Sequence, residues 1–261
     1  MLAKKQFGQN FLINFELAKR MAKISNLGPK SIVLEIGPGK GVLTNALLET
    51  KSKVIAIEKD HELIPYLTER FAREIKNKKL VLIKDDIRDI DLSRLGLKVK
   101  NYKLVANIPY YLTGEIMRKF LENKNQPTQM VLMIQKEVAQ RILAHDKRES
   151  LLSISVKAYG KPELETYVKR GSFNPIPKVD SAILSITQIN KKFFKDFSEQ
   201  AFFKILKAGF IHKRKFLFSN LSKIIKKDEL TQIFNKMALP KDIWAEKMSF
   251  IDWKKLVSDL T

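Results

Sequence analysis

Residues 32–41 read Ile32-Val33-Leu34-Glu35-Ile36-Gly37-Pro38-Gly39-Lys40-Gly41. A short apolar run breaks into three glycines spaced two apart, and an amphipathic stretch follows over 41–50. A strand that enters a helix through a glycine-rich turn predicts the opening unit of a doubly wound α/β sheet. Working outward, Val54–Glu58, Leu80–Ile83, Lys103–Ala106 and Met130–Ile134 repeat the pattern of the first run, Ile32–Ile36. Each is short and rich in aliphatic residues that would face both sides of a sheet, as in strands of a buried parallel sheet. Helical segments near 41–50, 60–76, 113–124 and 135–145 alternate with them. Ser153–Tyr159 and Ala182–Ile189 read as two more strands forming an antiparallel edge. Between them lies a segment rich in turn residues: Gly160, Pro162, Gly171, Asn174, Pro175 and Pro177. From about 191 helical spacing takes over, in 199–210, 213–226, 228–237 and 249–260. The expected architecture is a mostly parallel, Rossmann-like α/β domain over 1–190 and a small all-helical domain over 191–261.

The 261 residues include 49 Lys+Arg against 28 Asp+Glu, a net charge of +21, with 44% hydrophobic residues. That apolar fraction belongs to a globular chain. Cysteine is absent, which excludes disulfides, thiolate zinc sites and cysteine nucleophiles. His61, His145 and His212 lack the spacing of a metal cage, so no metal is expected. No apolar run approaches the roughly 18 residues of a membrane span, and the N-terminus has no secretory pattern, so a cytoplasmic location and no membrane partner are expected. The excess charge fits either a lysine-rich surface or a polyanionic partner, most naturally nucleic acid; composition leaves RNA, DNA and anionic lipid open. Residues 191–261 carry 16 basic and 8 acidic side chains and residues 1–190 carry 33 and 20, so both parts are basic.

Three strand ends point to a nucleotide-like cofactor. Gly37 opens a turn that lets a ligand approach the backbone. Glu58, 21 residues later, is placed to accept hydrogen bonds from the two hydroxyls of a ribose. Asp86 follows the third strand and can meet the exocyclic amine of an adenine; a turn or capping role is the alternative, with Asp85 and Asp89 nearby. The turn is GxGxG, lacks the GK[ST] ending of a phosphate loop, and has Glu35 beside it. An acidic lining favours cationic S-adenosylmethionine over NAD.

The fourth strand runs into Asn107-Ile108-Pro109-Tyr110-Tyr111. An Asn107 side-chain oxygen and the Ile108 carbonyl can accept both hydrogens of a planar amine, turning its lone pair toward a methyl donor. Tyr110 can stack on a flipped base. No strong base is needed, because positioning and electrostatics suffice. The alternative is a rigid turn in which Asn107 bonds its own backbone.

Five segments together carry a family resemblance: Lys5-Gln6-Phe7-Gly8-Gln9-Asn10-Phe11-Leu12, the Glu35–Gly41 turn, Asn107–Tyr110, Phe173-Asn174-Pro175-Ile176-Pro177-Lys178-Val179-Asp180-Ser181, and Phe210–Leu221. In this order they resemble the ribosomal RNA adenine dimethyltransferases, and most closely the bacterial small-subunit branch linked to kasugamycin sensitivity. The resemblance implies transfer of methyl groups from S-adenosylmethionine to N6 of two adjacent adenines near the 3′ end of 16S rRNA. It further implies an immature small subunit as substrate, a monomeric enzyme and no metal. Cofactor positions would be Asn10, Leu12, Gly37, Glu58, Asp86 and Asn107. Asn107 and Tyr110 would meet the target base, and Phe173 would sandwich it.

Gln9–Leu12 fits either a loop closing over the cofactor or a hydrophobic staple for a helix starting near Asn14. Departures from the family pattern are Lys213, where the first of two arginines is usual, and Leu112, where a β-branched residue is usual. Basic clusters lie at Lys4, Lys5, Lys19, Arg20 and Lys23, and again at Lys213-Arg214-Lys215, which would open a helix with apolar positions Phe216, Leu217, Leu221, Ile224 and Ile225. Cations there oppose the helix dipole and suggest a phosphate partner, or simply a solvated face. Competing readings are a large-subunit rRNA adenine methyltransferase of the antibiotic-resistance type, a nucleotide-dependent dehydrogenase, and an assembly factor that binds immature subunits.

Overall fold

A computed structural model describes residues 8–261, so Lys4 and Lys5 and the start of the first motif lie outside the described residues. Contacts group the chain into two compact units. The first holds the chain up to Ala139 together with Lys161–Ile189, and the second holds Gln140–Gly160 with Asn190–Thr261.

In the first unit, β1 (Phe11–Leu12) precedes α1 (Phe15–Ile24), whose N-terminus is capped by the Asn14 side chain accepting from Leu17 N. Ala18, Met21 and Ala22 form its buried face, the i, i+3, i+4 spacing of an amphipathic helix. Then follow β2 (Ile32–Ile36), α2 (Val42–Glu49), β3 (Lys53–Glu58), α3 (Leu63–Arg70), α4 (Ala72–Lys76), β4 (Leu80–Lys84), β5 (Lys103–Asn107), α5 (Thr113–Leu121) and β6 (Gln129–Gln135). Helix α6 (Lys136–Leu143) leads out of the unit. Strands β7 (Lys161–Val168), β8 (Phe173–Asn174) and β9 (Ser181–Thr187) complete it.

The seven-stranded sheet has the order β4-β3-β2-β5-β6-β9-β7. Strands β4, β3, β2, β5 and β6 run parallel, and β9 and β7 are added antiparallel. The order reverses between β2 and β5, which opens a crevice at the carboxyl ends of those strands. Register aligns Ile36 with Ile57 and Ala106, so the ends of β2, β3 and β5 lie side by side. A separate two-residue ladder pairs β1 with β8, Leu12 opposite Phe173.

The second unit contains α7 (Leu151–Lys157), α8 (Glu199–Phe210), α9 (Leu217–Leu221), α10 (Lys227–Lys236) and α11 (Phe250–Leu260). Its interior includes the rings of Phe193, Phe194, Phe197 and Phe202 in edge and stacked contacts. Among the described residues no helix is long and apolar enough to cross a membrane.

Three expectations are corrected. Ser153–Tyr159, whose alternation predicts a strand, lies largely in α7. A reciprocal capping box between Ser150 and Ser153 starts this helix, and such a box satisfies two orphan N–H groups at once. The antiparallel edge is instead Lys161–Val168, inside the turn-rich segment. Pro162 is tolerated there because β7 is the outermost strand. Finally, 213–226 is not one helix. Lys213, Arg214 and Lys215 sit exposed in a turn ahead of the five-residue α9, so they do not occupy a helix N-terminus.

Candidate active site

The crevice is lined from four directions: the Gly37–Lys40 turn, the end of β3 at Glu58–Asp60, the segment Asp85–Ile87 after β4, and Asn107–Leu112 after β5. Gly8–Leu12 lines it as well. The strand ends singled out by sequence therefore share one pocket, with Asn10, Leu12, Gly37, Glu58, Asp86, Asn107 and Tyr110 among its walls.

The turn is shaped by positive φ. Gly39 has φ +57, and a Cβ there would lie 2.9 Å from the Phe11 ring. Phe11 is only 7% exposed, because β1 holds it against the turn. Gln9–Leu12 borders the pocket, its last two residues as a short strand.

Glu58 is almost buried, and each of its oxygens takes one backbone donor. Gly39 N donates to Oε2 over 3.1 Å and Asp60 N to Oε1 over 2.8 Å. Burial pushes its carboxyl up from the ordinary value, and these N–H bonds pull the other way. Asp60 in turn accepts from Gln9 Nε2 over 2.8 Å, tying the N-terminal segment to the end of β3. Asp86 is gripped on both oxygens, by Arg88 at 2.6–3.1 Å and by Lys59 at 2.8 Å. Those cations hold its carboxyl far below the usual range.

Asn107 ends β5. Its Nδ2 donates to the Asn10 carbonyl over 3.1 Å, so its own backbone is not its partner. With the nitrogen engaged, Oδ1 is the end left to accept from a ligand. Tyr110 lies half-buried in the next turn, its hydroxyl 2.8 Å from Ser181 Oγ. Burial pushes its phenol up, so it stays neutral.

Two expected site residues are placed differently. Glu35 does not line the pocket. It lies in mid-strand between Ala56 and Val105, fully buried, and neither carboxyl oxygen has a hydrogen-bond partner. Burial pushes its carboxyl up to about 8; the Thr44 hydroxyl sits near enough to temper this without making a hydrogen bond, and the charge on Glu58 adds to it. It is therefore a mostly neutral acid at pH 7 and lends little negative charge to the site. Phe173 is 1% exposed and belongs to the apolar core beside Leu12, away from the pocket lining. Lys59, Asp60, Arg88 and Ser181 were not foreseen as site residues, nor was the bond from Gln9 to Asp60. Asp60, two residues past Glu58, and Ser181, closing the Phe173–Ser181 segment, carried positional signals; the others become visible only through folding.

The chain matches the family model for ribosomal RNA adenine dimethylases over residues 1–258. It is 40% identical over 259 residues to ribosomal RNA small subunit methyltransferase A of Dehalococcoides mccartyi, covering 97% of this chain and 87% of that one. The protein of the same name from Mycoplasmopsis pulmonis is 38% identical with full coverage of both. Among solved structures, a dimethyladenosine transferase from Plasmodium falciparum superposes with TM-score 0.79 at 27% identity, covering 94% and 95% of the two chains. The 23S rRNA methyltransferase ErmE superposes at 0.75 with 22% identity, covering 96% and 99%, and shares the fold.

Proposed function

This chain belongs to the ribosomal RNA adenine dimethylase family, and from that premise we propose that it dimethylates N6 of two adjacent adenines near the 3′ end of 16S rRNA. It is an S-adenosylmethionine-dependent methyltransferase with a Rossmann-like sheet. The small-subunit target is supported by relatives at 34–40% identity that carry the small-subunit name. The large-subunit and binding-only readings are not favoured: the large-subunit enzyme matched is 22% identical and speaks for the fold alone. An immature small subunit as substrate, action as a monomer, a cytoplasmic location, and a division of labour between a methyl-transfer domain over 1–190 and an RNA-binding domain over 191–261 belong to the same proposal.

The pocket suits the cofactor. The close approach of Phe11 to Gly39 leaves no room for a side chain at that point of the turn, and Glu58 keeps acceptor capacity beyond its two backbone bonds. Glu58 would receive the ribose hydroxyls, and Asp86 the adenine amine, sharing its oxygens with Arg88 and Lys59. Asn10, Leu12 and Gly37 would border the rest. Bound there, S-adenosylmethionine supplies an electrophilic methyl group. Asn107 Oδ1 and the Ile108 carbonyl would accept the two hydrogens of the target amine, turning its lone pair outward. Tyr110 would hold the base by stacking. Phe173, buried behind Leu12, would support the wall and leave the stacking to Tyr110.

The observation that carries this reading is the Asn107–Asn10 bond, which turns one amide acceptor toward a pocket at the sheet's switch point. Incubation with unmethylated small and large subunits and labelled S-adenosylmethionine should give dimethyladenosine at the paired small-subunit adenines. Label confined to large-subunit rRNA would overturn the target.

A further inference from the structure

Ser181 is fully buried at the first position of β9, paired with Gln135 of β6 on one side and Val168 of β7 on the other. Its Oγ shares a 2.8 Å hydrogen bond with the Tyr110 hydroxyl, 71 residues away in sequence. Tyr110 itself stands in a three-residue 3-10 turn, held at the backbone by Leu112 N donating to Pro109 O and by Thr113 Oγ1 donating to Tyr110 O. These bonds fix where the side chain starts and leave the far end of a long ring to swing. Next door, Tyr111 is 55% exposed and makes no side-chain hydrogen bond among the described residues.

We infer that Ser181 is a positioning residue for methyl transfer: it tethers the Tyr110 hydroxyl so that the ring's place in the pocket is set before the target base arrives. The inference rests on the proposed function for its catalytic consequence, though not for its geometry. A flat base stacks well on a ring that is already held in place. A ring free to swing must be ordered at each turnover, a cost that appears in kcat. The phenol is neutral and exchanges no proton in this role.

Three variants test it: Ser181→Ala, Tyr110→Phe and the double substitution. Each single change removes one partner of a buried bond, and loss of such a bond corresponds to roughly a three- to tenfold effect. Each is expected to lower kcat for small-subunit methylation by that factor, with S-adenosylmethionine affinity within twofold of the parent. The double variant should be no worse than the more impaired single one, because both remove the same bond. Losses that multiply would mean the hydroxyls act separately and would overturn the inference, as would kcat values within twofold of the parent. Thermal unfolding of each variant separates misfolding from misplacement.

A second readout does not involve RNA. In protein carrying labelled tyrosine, with the Tyr110 signal assigned through Tyr110→Phe, Ser181→Ala should shift the Tyr110 resonance. An unchanged signal overturns the tether. An inactive parent enzyme with the shift present would fault the proposed function and leave the tether standing.

Discussion

The Asn107 Nδ2–Asn10 carbonyl bond requires a donor on the side chain. Aspartate has nearly the same shape but would face that carbonyl with an oxygen. Asn107→Asp is therefore expected to lose methyl transfer about as fully as Asn107→Ala, by roughly 100-fold or more. Single-turnover methylation checks this, and activity within tenfold of the parent would show that the amide orientation is unimportant. Glu35 makes a different prediction, about pH. In the unfolded chain it releases its proton near 4.5, while burial keeps it protonated in the folded chain up to about 8. The folded state therefore holds the extra proton between these values. Glu35's contribution is fully favourable below 4.5 and is lost as pH rises through about 8, by up to roughly 5 kcal/mol. Glu35→Gln should flatten this dependence and be more stable than the parent at pH 8.5. Urea unfolding at pH 5 and pH 8.5 measures it; an unaltered slope would place the titration elsewhere.

Among the elements, the two-residue β1 depends on the glycine turn it covers. Gly39→Ala would put a methyl against Phe11 at a left-handed φ. A stability loss of about 1–2 kcal/mol is expected, with roughly tenfold weaker S-adenosylmethionine binding as Phe11 shifts. Gly96 is the control: its φ is also positive, at +67, but a Cβ there meets nothing within 4 Å. Thermal unfolding and calorimetric titration of both variants compare backbone strain with crowding; equal losses and unchanged affinity would show that Phe11 yields freely. The same scale explains what sequence could reveal. Strands β2, β3, β5 and β6 were legible because most of their positions are buried, so each reads as an apolar run. Gly37, Glu58, Asp86 and Asn107 were legible because strand ends in such a sheet fall on one edge. Strand β7 was not, because most of its positions touch solvent and it begins with a proline at its second residue. Phe173 was expected beside the base and the Gln9–Asp60 bond was not expected, for another reason: each residue takes its place from a partner far along the chain, Leu12 and Asp60 respectively.

At the scale of the whole molecule, the net charge of +21 is distributed over both parts of the chain. Lys213, Arg214 and Lys215 are all exposed in their turn. Replacing the three by Gln should weaken rRNA binding and lower the slope of log affinity against log salt by roughly 2, since each phosphate contact adds about 0.7–0.9. Filter binding between 50 and 200 mM salt reads this out, and an unchanged slope would show that these cations do not meet phosphate. S-adenosylmethionine affinity should be unaffected. The second unit also takes its residues from two separate stretches, 140–160 and 190–261. Tyr159 packs on Phe194 and Phe203, bonds Glu199 through its hydroxyl, and accepts Asn190 N at its carbonyl. During synthesis, α7 is made about a hundred residues before the last of its unit. At roughly 5–20 residues per second, the stretch from Tyr159 to Phe203 alone takes about 2–9 seconds, during which Tyr159 lacks the rings it packs on. A chain halted at Ile189 would leave Tyr159 without those rings, so the order of birth makes this unit the natural point for chaperone capture.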